Sequence, residues 1–306
     1  MNETISVVVP TYNSAPSLPK AIESIRIQRW PDLEIIVVDD GSHDDTPAVL
    51  KELAADDLHV ITQSNRGPGA ARNRGIEIAR GKWVAFLDAD DVWLPGKLHA
   101  QMDCLQRDDS LGFCYANSVR RATNGAERIH RPSREVGNIF VDLLLGPQFD
   151  LPTIVMRRDC FDEIGLFDPG LRTGEDWDLW LRLSAFYRGC HVPTALALCS
   201  ISDDPGKYPL DMFEQCQIRI LSKLFSNPHI ARLWPQLAKY RSRIYSWHYA
   251  VLAKSRLYRK QPWGFLRLGA ASVFSHPMGL YFLARKWNNA ERWPNLDGLR
   301  SEEISA

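Results

Sequence analysis

The sequence predicts an α/β fold: a mostly parallel sheet flanked by helices, followed by a helical C-terminal region. Three observations lead there. Over about the first ninety of 306 residues, short apolar runs alternate with helical patterns. The runs are apolar throughout rather than at every second residue, as in parallel strands buried on both faces. Each also ends in polar or acidic residues, and open α/β sheets bind ligands at the carboxyl ends of their strands.

Taken in order, Ile5 to Val9 reads as the first strand, stopped by Pro10, and Ser17 to Gln28 as a helix with Leu18, Ile22 and Ile25 on one face. Glu34 to Val38 is the second strand, closed by Asp39-Asp40-Gly41-Ser42. Asp44 to Ala55 is a helix, with Asp44 as its cap and Pro47 in its first turn. A short strand at His59 to Thr62 precedes a third helix, Ala70 to Ala79, with Gly81 as its stop. Trp83 to Leu87 is the fourth strand and runs into Asp88-Ala89-Asp90-Asp91. Beyond Lys97 the pattern loosens: strands at Gly112 to Val119, Thr153 to Met156 and His191 to Leu198, and helices at Ile139 to Leu145 and Trp177 to about Tyr187. After Pro205 the chain reads as helical, at Asp211 to Phe225, Ile230 to about Tyr258 and Gly264 to Val273. Two domains follow, residues 1–205 and 206–306.

The net charge is zero, with 37 basic and 37 acidic side chains, so no overall charge points to nucleic acid. The balance conceals a split. From Gly206 onward about 16 basic residues face 6 acidic ones, which leaves the first part acidic. The six cysteines show no CxxC and no metal-finger spacing, which suits a reducing cytosol better than a disulfide scaffold. No basic run followed by an apolar stretch opens the sequence, and no run of about 20 apolar residues occurs, so neither a signal peptide nor a membrane span is expected.

Four segments carry chemistry. Asp88 and Asp90, two apart after a strand, would point to one side if extended and share a cation with hard oxygen ligands; crowded carboxylates otherwise repel one another. Asp40 offers an acceptor for a base or ribose hydroxyl, although Asp-Gly is also ordinary turn chemistry. Asn65-Arg66-Gly67-Pro68-Gly69 opens a helix whose first N–H groups suit an anion, to which Arg72 would add charge; a tight turn with a surface arginine is the plain alternative. Glu175 and Asp176 begin an apolar helix, where acids complement the helix dipole or supply a general base.

Pro10-Thr11-Tyr12-Asn13, Asp39-Asp40-Gly41-Ser42, Asn65-x-Gly67 with Ala71-Arg72-Asn73, Phe86-Leu87-Asp88-Ala89-Asp90-Asp91 and Glu175-Asp176 occur in that order. Over roughly Ile5 to Ala197 this set resembles the GT-A-fold, family 2 inverting glycosyltransferases. The resemblance implies a nucleotide-diphosphate-sugar donor and Mg²⁺ or Mn²⁺. Pro10, Thr11, Tyr12 and Asn13, with Asp40, Gly69 and Arg72, would line the donor. Asp88-Ala89-Asp90 matches the family's Asp-X-Asp, with Asp88 and Ala89 on the donor and Asp90, Asp88 and Asp91 as metal ligands. Asp176 matches the base that deprotonates the acceptor hydroxyl, supported by Glu175, and Phe161 to Asp168 matches an acceptor-side segment. One departure stands out: Cys199 to Gly206 contains no histidine, where family members often carry an Arg or His.

Two other readings fit parts of the sequence. Asp88-x-Asp90-x-Val92 after a strand is locally similar to haloacid-dehalogenase-type phosphatases, which usually put that signature on their first strand. A non-catalytic nucleotide-sugar-binding scaffold is the other. The basic, aromatic C-terminal region, with Trp263, Phe265, Leu266, Arg267, Leu268, Phe274, Tyr281, Phe282, Arg285, Lys286 and Trp287, suits either a helix among lipid headgroups or a docked bundle. The resulting expectation is a cytoplasmic enzyme of polysaccharide or glycolipid synthesis, peripheral at the inner face of the membrane, with a sugar or lipid-linked acceptor and no nucleic-acid partner.

Overall fold

Runs of Ile and Val make the strands that everything else is built around. In the computed structural model, which describes residues 3–132, 138–201 and 209–284 together with Leu296 and Leu299, the chain divides into two compact units. The first comprises Met1–Ile139 and Pro147–Lys207; the second comprises Phe140–Gly146 and Tyr208–Ala306. The domain boundary expected at 205/206 falls among residues 202–208, outside the described ones.

In the first unit β1 (Ile5–Thr11), α1 (Leu18–Arg26), β2 (Leu33–Asp39), α2 (Thr46–Glu52), β3 (Leu58–Thr62), α3 (Pro68–Ile78) and β4 (Trp83–Phe86) follow the predicted alternation. Next come β5 (Val92–Trp93), α4 (Lys97–Leu105), β6 (Leu111–Ala122) and β7 (Glu127–His130). The second unit takes α5 (Phe140–Leu143), after which the chain adds β8 (Val155–Arg157), α6 (Cys160–Ile164), α7 (Glu175–Phe186) and β9 (Arg188–Ile201) to the first. The sheet order is β3-β2-β1-β4-β8-β6-β9-β5, with β7 on β6. Strands β3, β2, β1 and β4 are mutually parallel, as predicted. Beyond β4 the sheet is mixed, because β8 enters antiparallel to both β4 and β6. Strands β5 and β7 are too short or too polar to have registered in the sequence pattern.

Alternate residues of each strand supply the two faces. Ile5, Val7, Val9, Ile35, Val37, Trp83 and Ala85 pack with Leu18, Ile22 and Ile25 of α1 and Leu98, Met102 and Leu105 of α4. On the other face α3 lies so close to β1 that a Cβ on Gly75 would stand 2.4 Å from a Val8 methyl. Phe86, Phe167 and Trp180 form an aromatic cluster there, with ring centroids 5.4–6.5 Å apart.

Two boundaries differ from expectation. Gly81 does not cap α3, which ends on Ala79 in an extended conformation; the glycine is needed because a Cβ would lie 2.7 Å from the Ser6 nitrogen. The single helix expected from Ile230 to Tyr258 is two, α9 (Pro228–Leu233) and α10 (Leu237–Tyr258), since Pro235 cannot continue the ladder of Trp234. With α8 (Leu210–Ser226), α11 (Pro262–Ser275) and α12 (Gly279–Ala284) these make a helical unit. Leu252, Ala253 and Leu268 form one of its cores.

Candidate functional site

Arg72 is the centre of the charged cluster. Its side chain is 4 % exposed, and one terminal nitrogen lies 2.6 Å from Asp88 Oδ1 while the other lies 2.8 Å from Glu175 Oε1. The guanidinium sits 5.5 Å from the Phe167 ring centroid. Burial works against its charge, but the two carboxylates outweigh it and raise its pKa. The sequence suggested a cation offered to an anionic ligand; here that charge is already matched by two side chains, one of them 103 positions away in sequence. Arg72 thus joins the start of α3, the end of β4 and the start of α7.

The Asp88-Ala89-Asp90-Asp91 segment is a turn, not an extended strand end: the Asp91 N–H donates to the Asp88 carbonyl at 3.0 Å. Strand alternation therefore does not set which way Asp88 and Asp90 point, contrary to the expectation from their two-residue spacing. Asp88 is half-buried on Arg72 and Asp90 is exposed. Asp91 is buried, accepts the Ser200 N–H at 2.8 Å, and is pushed well above the usual carboxylate range by burial and then by Asp88 and Asp90. The Ser200 hydroxyl donates to the Asp90 carbonyl at 2.7 Å, so the end of β9 closes the turn.

Helix α7 begins behind Gly174, whose φ of 74° needs a residue without Cβ, and places three acids in its first turn. Asp176 Oδ1 accepts the Trp177 N–H at 2.7 Å. Burial and then the neighbouring Glu175 raise its pKa to about 7, against the pull of the Trp177 N–H and Arg72. It nonetheless keeps an accessible edge, as a base for an incoming hydroxyl requires. Asp178, two residues on, pairs at 2.7 Å with Arg182, which also donates to the carbonyls of Ile164, Gly165 and Leu166. Asn73 exchanges two hydrogen bonds with the Phe167 backbone, at 2.8 and 2.9 Å. Between them Arg182 and Asn73 fix the Phe161 to Asp168 segment beside Glu175.

The proposed donor side is a second cluster. Asp40 is buried and accepts from the Gln63 side chain at 2.7 Å, the Arg66 N–H at 2.9 Å and the Gly67 N–H at 2.7 Å. The anion expected at the start of α3 is therefore the chain's own Asp40. Asn13, with φ 50°, accepts from the His43 N–H at 2.8 Å and its own N–H donates to Ser42, so the ends of β1 and β2 are tied together. Pro10 pairs within the sheet, Thr11 Oγ1 is buried with no hydrogen-bond partner among the described residues, and Tyr12 is exposed edge-on to His43. Gly69 packs on Glu175 and Phe167, and Ala89 is buried in the turn.

The sequence profile of glycosyl transferase family 2 matches residues 6–165, more than half of the chain. The chain belongs to glycosyl transferase family 2. An uncharacterized glycosyltransferase of Rickettsia felis is 30 % identical over 240 residues, covering 76 % of this chain and 38 % of that protein. The succinoglycan biosynthesis protein ExoO of Rhizobium meliloti is 42 % identical over 197 residues, 57 % of this chain and 54 % of its own. The chain thus spans well under two thirds of the length of these curated relatives. Among solved structures, S. aureus TarS 1-349 in complex with UDP-GlcNAc superposes with a TM-score of 0.68 at 20 % identity, over 92 % of this chain and 83 % of TarS. The mannosyltransferase PcManGT of Pyrobaculum calidifontis, in complex with GDP-Man and Mn²⁺, gives 0.60 at 20 % identity, over 93 % and 86 %. These likenesses establish the GT-A fold. Membership in the family leaves the phosphatase reading without support.

The family 2 site suits a divalent cation only in part. Among the described residues the sole three-ligand group is Cys104, Cys114 and Cys190, so Asp88, Asp90 and Asp91 do not converge as a three-carboxylate cage. Asp88 and Asp90 do fit an ion that takes one or two carboxylates and completes its shell with water and phosphates. Burial is the main cause of the raised Asp91 pKa, and the repulsion from Asp88 and Asp90 that adds to it is the electrostatic reason a cation is welcome there.

Several site residues carried no sequence signal. Asp150, a lone acid between apolar residues, is paired with Arg120 and Ser118 and lies close enough to act electrostatically on Asp91 and Asp176. Arg182 could have been found only by knowing which loop it faces; Asn73 stood in the Ala71-Arg72-Asn73 motif, but nothing there marked it as the anchor of the Phe167 backbone.

Proposed function

We propose that this chain transfers a glycosyl group from a nucleotide-diphosphate sugar to an acceptor hydroxyl with inversion, Asp176 acting as general base. The observation that carries this reading is a partly accessible aspartate with a pKa near 7, next in sequence to Glu175, which a buried arginine bridges to the Asp-X-Asp turn. In the reaction the acceptor O–H gives its proton to the Asp176 carboxylate as its oxygen bonds to the anomeric carbon. The bond from that carbon to the diphosphate breaks, and its electron pair leaves on the phosphate oxygen. One displacement from the opposite face inverts the configuration, and the base must stand away from the leaving group.

The Trp177 N–H orients Asp176, and Arg72 ties the neighbouring Glu175 to Asp88 at the donor side. The edge-on Tyr12 and His43 rings offer an apolar face for a base. When bound at Asp90 and Asp88, Mg²⁺ or Mn²⁺ supplies neutralisation of the charge that develops on the leaving diphosphate. The UDP-GlcNAc and GDP-Man complexes of the solved relatives support nucleotide sugars as donors, and the ExoO likeness supports an acceptor in polysaccharide synthesis. A screen of uridine-, thymidine- and guanosine-diphosphate sugars tests this directly. One class should release its nucleoside diphosphate faster with Mn²⁺ and lose that turnover in EDTA; release equal in EDTA would remove the metal.

The second unit supports a peripheral membrane contact at the inner face. Trp263 and Phe274 are 82 % and 89 % exposed, and Leu266, Leu280 and Tyr281 are exposed with them. Other residues of the sequence-based list do different work: Leu268 and Phe282 are buried, and Arg267 is paired with Glu214. Arg285, Lys286 and Trp287 lie outside the described residues. Among the described residues no helix is long and apolar enough to cross a membrane. The protein is expected to float with anionic liposomes and to lose binding on Trp263→Ser/Phe274→Ser; absence of binding at low salt would remove the membrane from the account.

A further inference from the structure

Three cysteines scattered in sequence meet in space. Cys104 near the end of α4, Cys114 near the start of β6 and Cys190 near the start of β9 bring their sulfurs within 4.8 Å of one another. Cys114 and Cys190 are direct register partners on the parallel β6·β9 pair, and all six cysteines of the chain are free thiols. The trio lies toward the start of β6 and β9, whereas Ser200, which closes the Asp88–Asp91 turn, lies at the end of β9. It is therefore separate from the proposed transfer site.

Three further features distinguish it from small apolar side chains filling a core. Gln101, one turn before Cys104, donates from its side chain to the Cys114 carbonyl at 3.2 Å and the Thr153 carbonyl at 2.7 Å, so helix and strand are held in register at the thiols. Lys97, two turns before Cys104, is fully buried, and its Nζ has no hydrogen-bond acceptor among the described residues. That Nζ lies 4.1 Å from the Trp93 ring centroid; burial lowers its pKa to about 7, and the nearby Cys114 acts in the opposite direction. Arg107 lies within electrostatic range of Cys104. A buried lysine without an ion-pair partner is favoured in its charged form only by a buried negative charge nearby, and neutral thiols do not supply one.

We propose that Cys104, Cys114 and Cys190 bind one thiophilic d¹⁰ cation, Zn²⁺ being the representative. Three thiolates on a divalent ion carry one net negative charge, which Lys97 matches. Tetrahedral zinc with Zn–S bonds of about 2.3 Å needs sulfurs under about 4 Å apart, so sulfurs within 4.8 Å reach it by small side-chain adjustments. Cys104 and Cys190 are only partly buried, which leaves an entry path and a water for the fourth position. The ion would staple α4 to β6 and β9, a structural rather than a catalytic role, and its uptake releases the thiol protons.

The test uses the full chain, dialysed against EDTA under a non-thiol reductant and titrated with Cd²⁺, whose thiolate charge-transfer absorption does not respond to carboxylate sites. Saturation at one ion per chain, competed by Zn²⁺, is expected. Cys104→Ser and Cys190→Ser should each weaken binding by at least about 100-fold, more than loss of an outer partner costs, whereas Cys216→Ser should not. Zn²⁺ should also slow alkylation of Cys104 and Cys190 in the unmutated protein, a readout that survives if a variant fails to fold. Absence of the absorption, or its persistence in Cys104→Ser/Cys190→Ser together with unprotected alkylation, would overturn the site.

Discussion

Asp176→Asn is expected to lower the rate of sugar transfer by roughly 10²–10⁴-fold while leaving donor binding nearly unchanged, as loss of a positioned general base does. Isothermal titration with the nucleoside diphosphate, set beside acceptor-dependent turnover, checks both halves. Asparagine keeps the shape and the acceptor for the Trp177 N–H but cannot take a proton. The same substitution should raise stability at neutral and alkaline pH. Because the folded pKa is raised from the usual aspartate value to about 7, protons are bound more tightly in the folded chain. The resulting stability is present below the unfolded pKa and is lost as pH climbs through the folded value. The asparagine variant escapes that loss, so its Tm advantage should appear between about pH 4 and pH 7 and persist above. Function and stability move in opposite directions here, which a merely structural aspartate would not produce.

Arg72→Met has the second large effect. It leaves Asp88 and Glu175 without the buried cation that both contact, and removing one partner from a buried ion pair typically costs about 3–5 kcal/mol. For a unit of this size a Tm drop of roughly 6–20 °C follows. Adding Glu175→Gln should restore part of the loss, because one unpaired charge disappears. Arg72 also holds the Asp176 pKa down, so in any Arg72→Met protein that folds the acid limb of activity should move to higher pH. A thermal melt of the single and double variants decides whether the bridge is structural; an unchanged Tm in Arg72→Met would contradict the geometry.

The parallel half of the fold was legible because buried parallel strands write themselves as unbroken apolar runs. Ile5 to Val9 and Glu34 to Val38 lie within β1 and β2. Beyond β4 the sheet changes direction, and its strands are set by tertiary pairing: the two residues of β5 exist as a strand only because β9 lies beside them. The acids of the site were legible as clusters at strand ends, but their partners were not. Arg72 and Glu175 are 103 positions apart, and nothing local marks the buried arginine as a bridge instead of a ligand contact. Asp40 posed the opposite problem. Its place after β2 suggested an open acceptor, while three donors from the Gln63 to Gly67 segment already use its carboxylate. The cysteines had no spacing signal at all, since helix α4 and two parallel strands bring them together across 86 residues of sequence.

The dependence of acceptor-saturated turnover on pH tests the central claim most directly. With Asp176 as base, kcat should rise about tenfold per pH unit on the acid side and level off near pH 7, and the residual activity of Asp176→Asn should lack that limb. A limb that survives unchanged in Asp176→Asn would place the base elsewhere and contradict the account.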